Sequence, residues 1–158
     1  IRDSVPANYN SPEQTVISGH AEAVEKASAA ATERGAKRAV PLKVSAPFHS
    51  PLMKPAAEKL EVELAKCAFG DTNCPVIANV DAEPHQGAAE LAPLLVRQVV
   101  EPVRWTDCMK QLKTREIELA IEIGPGKVLA GLMRNIDREI KTANVEDLNS
   151  LKKTLTLT

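Results

Sequence analysis

Residues 117–136 read IELAIEIGPGKVLAGLMRNI. A β-type run stops at a tight Gly-Pro-Gly turn, and a helical pattern starts at once behind it. The rest of the chain continues this alternation. Thr15–Gly19 (TVISG) is a short β-branched run ending in turn residues. Over 20–35, Val24, Ala27 and Ala31 share one helix face, and Gly35 sits where a C′ residue belongs. Arg38–Ala46 reads as extended, with Pro41 suggesting an edge or irregular strand. The next helix opens at Ser50, a good N-cap, with Pro51 as its first helical residue. Met53, Ala57, Leu60 and Leu64 then recur at helical spacing, and Pro55 falls in the first turns, where a missing N–H is tolerated.

Further along, Cys74–Val80 reads as a buried strand and 88–100 as a helix bent or restarted near Pro93. Thr106 is placed to cap a helix containing Met109 and Leu112. The expected order is β-α-β followed by α-β-α-α-β-α. Strands separated by helices argue for an α/β protein with some parallel pairing, and the boundary between its parts falls near Val44–Pro47.

A chain of 158 residues can bury one real core. Aromatics make up only 3%, so Leu, Val, Ile and Ala must supply most of it. The net charge is −1 without any long Lys/Arg run, which gives no reason to expect nucleic acid or a membrane surface as partner. No apolar stretch is long enough to span a bilayer, and the start has no signal-peptide pattern. Cys67, Cys74 and Cys108 are odd in number and lack C-x-x-C spacing. That pattern argues against a disulfide framework or zinc and for a reducing, cytoplasmic setting. The opening IRDSVPANYN lacks a methionine, which suggests a processed product or a piece of something longer.

The segment VSAPFHSPLM, residues 44–53, holds one of only three histidines. His49 closes the extended run one residue before the Ser50 cap. Beside a helix N-terminus the macrodipole disfavours positive charge, so a neutral imidazole is expected there, and a neutral imidazole suits a general base. The plainer reading is a loop histidine hydrogen-bonded to backbone. GPGKVL invites a phosphate-loop reading through Lys127, but the spacing is too short for one, and a strand-to-helix turn is expected.

Four segments, in order, resemble the malonyl-CoA:acyl-carrier-protein transacylase family of acyltransferases: NYNSPEQTVISG, APFHSPLM, LVRQVVEPVRW and EIGPGKVLAGL. The resemblance covers nearly the whole chain. It implies ping-pong acyl transfer, in which a serine in a Gly-His-Ser-x-Gly elbow takes the malonyl group from the coenzyme A thioester. The phosphopantetheine thiol of acyl carrier protein then removes it, as in fatty acid biosynthesis. No cofactor or metal is implied. His49 matches the family's base, and Gln98 matches the position whose backbone carbonyl holds the other ring nitrogen. Phe48 matches a position where a ring accompanies malonyl selectivity, because it leaves no room for an extra methyl; such a clash is worth roughly 1–3 kcal/mol. Asn8 and Asn10 match a cleft-lining pair, though turn formation before Pro12 explains them as well.

The chain contains no Gly-x-Ser-x-Gly. In the family that elbow, a carboxylate-binding arginine and much of the oxyanion hole lie upstream of the Asn-x-Asn segment. The resemblance is thus to a C-terminal half: residues 1–45 to part of a ferredoxin-like small subdomain, residues 46–158 to part of an α/β-hydrolase-like large one. Exposed apolar patches and open sheet edges are expected, and with them a need for the N-terminal half as partner, or else self-association. Alone, the chain is expected to be inactive. Two other readings stand beside this one: a truncated acyltransferase acting as an acyl-carrier-protein binding or scaffold module, and a serine hydrolase using the same dyad on esters. The ending NSLKKTLTLT looks like a natural, flexible terminus, which favours a free-standing bacterial-type enzyme.

Overall fold

A computed structural model of the chain describes residues 3–157. The first unit is a hairpin the sequence reading missed in half. Strand β1 (Ser4–Ser11) pairs antiparallel with β2 (Gln14–Gly19), from Ser4 opposite Gly19 to Ser11 opposite Gln14. Pro12 and Glu13 form the hairpin tip, and the asparagines that turn formation before Pro12 would have explained lie within β1. Gly19 has φ +154, and a Cβ there would lie 2.1 Å from the Asp3 carbonyl oxygen, so only glycine fits. Helix α1 (Ala21–Glu33) follows. It ends as Gly35 requires, with φ +97. Gly35 N–H donates to the Thr32 carbonyl (3.0 Å) and Ala36 N–H to that of Ala31 (2.9 Å), the paired bonds of a Schellman stop.

Arg38–Ala46 is not a strand. Val40, Leu42 and Val44 are 54%, 58% and 62% exposed, and among the described residues no neighbouring strand pairs with them. The alternation is present, but without a ladder partner extended backbone gains no sheet bonds. Ser50 does occupy the first cap position, yet its side chain does not cap. It is 1% exposed, and its hydroxyl donates to the Pro47 carbonyl at 2.7 Å. A single 3₁₀ turn, Pro51–Met53, precedes α2 (Lys54–Leu64), whose first turn accepts Pro55.

The strand expected over Cys74–Val80 shrinks to β3 (Val76–Ile77), paired antiparallel with β4 (Pro84–His85). Cys74 is exposed and Val76 is 44% exposed, so this is an edge hairpin and not a buried strand. Helix α3 (Ala88–Arg97) runs through Pro93 without restarting, and α4 spans Trp105–Thr114. Thr106 lies inside α4 and does not cap it; its hydroxyl donates to the Tyr9 carbonyl of β1 at 3.0 Å.

The predicted strand–turn–helix forms as β5 (Leu119–Ile123) and α5 (Val128–Ile136). Strand β6 (Lys141–Val145), absent from the sequence reading, runs parallel to β5 in register from Leu119 opposite Lys141 to Ile123 opposite Val145. The tail expected to be flexible instead forms α6 (Leu148–Thr154). The Asp147 carboxylate accepts from Ser150 N–H (2.7 Å), and the Ser150 hydroxyl faces the Asp147 N–H (2.9 Å).

The best-buried apolar side chains cluster where α4 and α5 meet β1: Cys108, Met133 and Ala7 are each 2% exposed. Beyond them the interior is thin. The accessible surface is 11101 Å². Size scaling for a compact 17.0 kDa monomer gives about 7,700 Å², an excess of roughly 3,400 Å². Ile123 (83%), Val128 (71%) and Leu148 (74%) are among the apolar side chains left in water.

Candidate active site

His49 stands at a forced turn. Its φ of +56° is left-handed, a conformation that costs a residue with a Cβ about 1–2 kcal/mol. The bonds around it hold it there. Phe48 N–H donates to the Ala46 carbonyl (2.9 Å), Ser50 Oγ to the Pro47 carbonyl (2.7 Å) and Met53 N–H to the Ser50 carbonyl (3.0 Å). The side chain is thereby aimed at α3, where Nδ1 lies 2.7 Å from the main-chain oxygen of Gln98.

A carbonyl can only accept, so this contact assigns the ring proton to Nδ1. In the neutral ring Nε2 is then the free acceptor. The Gln98 oxygen is available because Gln98 is the C-cap of α3; it is among the last carbonyls of a helix, which have no intrahelical donor. The ring's bonded partner, the C-terminal end of α3, adds to the sequence expectation; on the other side the 3₁₀ turn Pro51–Met53 runs straight into α2, so His49 stands before a helix start as read. The Nδ1–H can donate to the carbonyl whether or not Nε2 is protonated, so the ring keeps its orientation through a proton cycle.

Phe48 flanks the histidine and is 47% exposed. Asn8 and Asn10 lie two apart on β1. Among the described residues neither side chain hydrogen-bonds to His49 or Gln98, and Asn10 Nδ2 donates to Gln14 Oε1 at 3.0 Å. Their strand is nonetheless fixed to the stretch after Gln98: Tyr9 N–H donates to the Val103 carbonyl (2.9 Å) and Val103 N–H to the Ala7 carbonyl (2.8 Å).

No serine hydroxyl bonds to His49 among the described residues, and Ser50 is committed to Pro47. Cys108 offers no nucleophile either. Burial, aided by the Asp107 carboxylate, pushes its thiol up to about 11, and it lies 3.5 Å from the Ala78 carbonyl. Cys67 and Cys74 are exposed and free. Among the described residues no three His, Cys, Asp or Glu side chains converge as metal ligands would. The Gly-Pro-Gly loop is filled by the chain's own anions. Glu122 accepts from Leu129 and Ala130 N–H (3.1 and 2.8 Å), and Glu146 accepts from Gly126 N–H (3.0 Å). The donors a phosphate would need are taken, and the loop is a strand-to-helix turn.

Sequence reasoning passed over the groups that fasten α3. His85 sits between Asp81 (Nε2–Oδ2, 3.2 Å) and Glu90 (Nδ1–Oε1, 3.4 Å), while Arg97 bonds doubly to Glu101 (2.9 Å each). Only the spacing of Asp81 and His85, four apart in a turn, hinted at a pair.

The acyl transferase domain model matches residues 1–154. The chain is 47% identical over 151 residues to the malonyl CoA-acyl carrier protein transacylase of Salmonella typhimurium strain LT2, covering 96% of this chain and 49% of that protein. It is 48% identical over 146 residues to the same-named protein of Bacillus subtilis strain 168, covering 92% and 46%. A solved malonyl-transacylase in complex with a type II polyketide synthase acyl-carrier protein superposes with TM-score 0.95 at 45% identity, over 98% of this chain and 50% of that one. An acyl carrier protein S-malonyltransferase from Vibrio cholerae superposes with TM-score 0.93 at 44% identity, over 96% and 50%. The chain thus spans about half the length of the relatives it matches, and its mixed α/β architecture is theirs over that half.

Proposed function

Because the chain belongs to the acyl transferase domain family, we propose that it carries the base of a malonyl-CoA:acyl-carrier-protein transacylase whose serine nucleophile and carboxylate-binding arginine lie outside these 158 residues. The observation that carries the reading is the 2.7 Å contact between His49 Nδ1 and the Gln98 carbonyl, which leaves Nε2 as the acceptor. In the first half-reaction Nε2 takes the proton of the serine hydroxyl as its oxygen attacks the thioester carbonyl. The tetrahedral adduct then expels coenzyme A, whose sulfur takes that proton from Nε2. In the second, the phosphopantetheine thiol gives its proton to Nε2 and attacks the acyl-serine, and the serine oxygen recovers the proton as it leaves. The net change exchanges one thiol for another, so the reaction calls for no redox or metal cofactor. Gln98 acts through its main chain.

The partners in this reading are acyl carrier protein, the coenzyme A thioester and the N-terminal half of the same enzyme. The roughly 3,400 Å² of surface beyond the compact-monomer expectation fits a chain that completes its core on another segment. Residues 1–45 would then belong to the small subdomain and 46–158 to the large. The test is malonyl transfer from malonyl-CoA to phosphopantetheinyl acyl carrier protein by this chain joined to such a half. Transfer with the half present and none without it supports the reading; none in either case sinks it.

Two features bear on specificity and on the competing role. Phe48 places a ring beside the base, and asparagines line β1. Phe48→Ser is expected to raise the methylmalonyl-to-malonyl ratio of kcat/KM by about 10–200-fold, by removing the clash with a branched acyl group. Parallel steady-state assays on the two thioesters check this, and an unchanged ratio would mean that the ring does not meet the acyl group. The absence of a serine bonded to His49 among the described residues favours a second reading: a truncated module that binds acyl carrier protein without acylation. Binding in the absence of any acyl-enzyme would select it.

A further inference from the structure

Helix α3 supplies the carbonyl that orients His49, yet none of its residues is fully buried. Pro93 also removes one of its internal hydrogen bonds, because it has no N–H to offer the turn before it. Apolar packing against α2 is thus weak support for a group that must stay fixed within tenths of an ångström.

What holds the helix at both ends is the β3–β4 hairpin. His85 faces the Glu90 carboxylate of the first turn of α3 with Nδ1 (3.4 Å) and the Asp81 carboxylate with Nε2 (3.2 Å). Asp81 in turn faces Arg97, in the last turn of α3, at 3.9 Å, and Arg97 is braced by its bidentate pair with Glu101. Arg104 donates to the Asp81 carbonyl at 2.9 Å, which pins the turn from the other side. Asp71 accepts from Ala88 N–H at the head of the helix (2.8 Å). The charges run Glu90, His85, Asp81, Arg97, Glu101, alternating in sign along the helix when His85 is protonated. Gln98 is the residue after Arg97.

We propose that His85 and Asp81 are positioning residues for the base: by fastening both ends of α3 they fix the Gln98 carbonyl, and through it the ring of His49. The inference rests on the reading of His49 as the base, but the fastening can be tested apart from it.

An imidazole with a carboxylate at each nitrogen can donate to both only as the cation. Burial opposes that charge, but the hydrogen bonds and field of Glu90 and Asp81 outweigh it and hold the group above its ordinary value. A raised value in the folded state means that the hold is complete at low pH and is lost as pH rises through that raised value. The groups facing His85 are Asp81 and Glu90, with Arg97 beyond Asp81.

With only His20, His49 and His85 in the chain, imidazole ¹⁵N NMR resolves each ring. In this chain, isotope-labelled and assembled with its complementary half, His85 is expected to titrate above the ordinary value of about 6.5. His85→Gln and Glu90→Gln are each expected to speed exchange of the His49 Nδ1 proton by about tenfold or more. In the assembled transacylase the same changes should lower kcat several-fold with KM for malonyl-CoA unchanged, and His85→Lys, which keeps the cation, should restore it. Unchanged His49 exchange in Glu90→Gln, a change at a half-exposed carboxylate, would overturn the proposal even if His85→Gln fails to fold. An altered His49 signal with no transfer activity in any variant would instead count against the acyltransferase reading and leave the fastening standing.

Discussion

His49→Asn is expected to lower malonyl transfer by about 10²–10⁴-fold, the contribution of a positioned general base. The choice of asparagine matters. The backbone at position 49 is left-handed, at φ +56°, and asparagine is one of the few residues with a Cβ that enters this region readily. The turn should survive, so the loss reports the ring and not the fold. An amide cannot take a proton from a serine hydroxyl at neutral pH, and the Gln98 carbonyl would be left facing a shorter side chain. The loss should fall on kcat and kcat/KM together, because the proton is moved in the transition state and not in the bound ground state. Steady-state kinetics on malonyl-CoA with phosphopantetheinyl acyl carrier protein check this. A loss under about threefold would mean that another group serves as base.

Met133→Ala is expected to cost about 2–5 kcal/mol of folding stability, the range for deleting most of a buried long side chain. Met133 is 2% exposed on α5, and it shares the junction of α4, α5 and β1 with Cys108 and Ala7. The other buried apolar side chains include several alanines, which supply little area each, so the loss falls on one of the few large contributors. A small domain is stable by only about 5–15 kcal/mol. A single change of this size therefore consumes much of the margin. Urea denaturation of the protein assembled with its complementary half should show a lower midpoint at unchanged slope. A shift worth less than 1 kcal/mol would place the core elsewhere.

How much of this was legible in the sequence followed how local each signal is. The Gly-Pro-Gly turn between β5 and α5 and the Gly35 stop of α1 depend on the backbone within a few residues, and both formed as read. Strand β6 did not announce itself, because KTANV has little apolar content and becomes a strand only through parallel pairing with β5, some 22 residues away. Arg38–Ala46 shows the converse: the right alternation, and no partner among the described residues. Thr106 has the chemistry of a cap, but a carbonyl on β1, 97 residues distant in sequence, takes its hydroxyl. At the site, a histidine before a Ser-Pro helix start was visible as a candidate base. The carbonyl that orients it lies 49 residues away, and it was assigned through family resemblance, not through spacing. For His85 the sequence offered only its four-residue spacing from Asp81, since the role of the pair exists only once α3 lies across it.

The most direct test of the central claim is intact-protein and peptide mass spectrometry after a brief exposure of the assembled protein to malonyl-CoA, with His49 present and with His49→Asn. The account predicts one malonyl group on a serine outside these 158 residues, formed quickly with His49 and at least a hundredfold more slowly without it. A malonyl group on a residue of this chain, or equal rates in the two proteins, would contradict it.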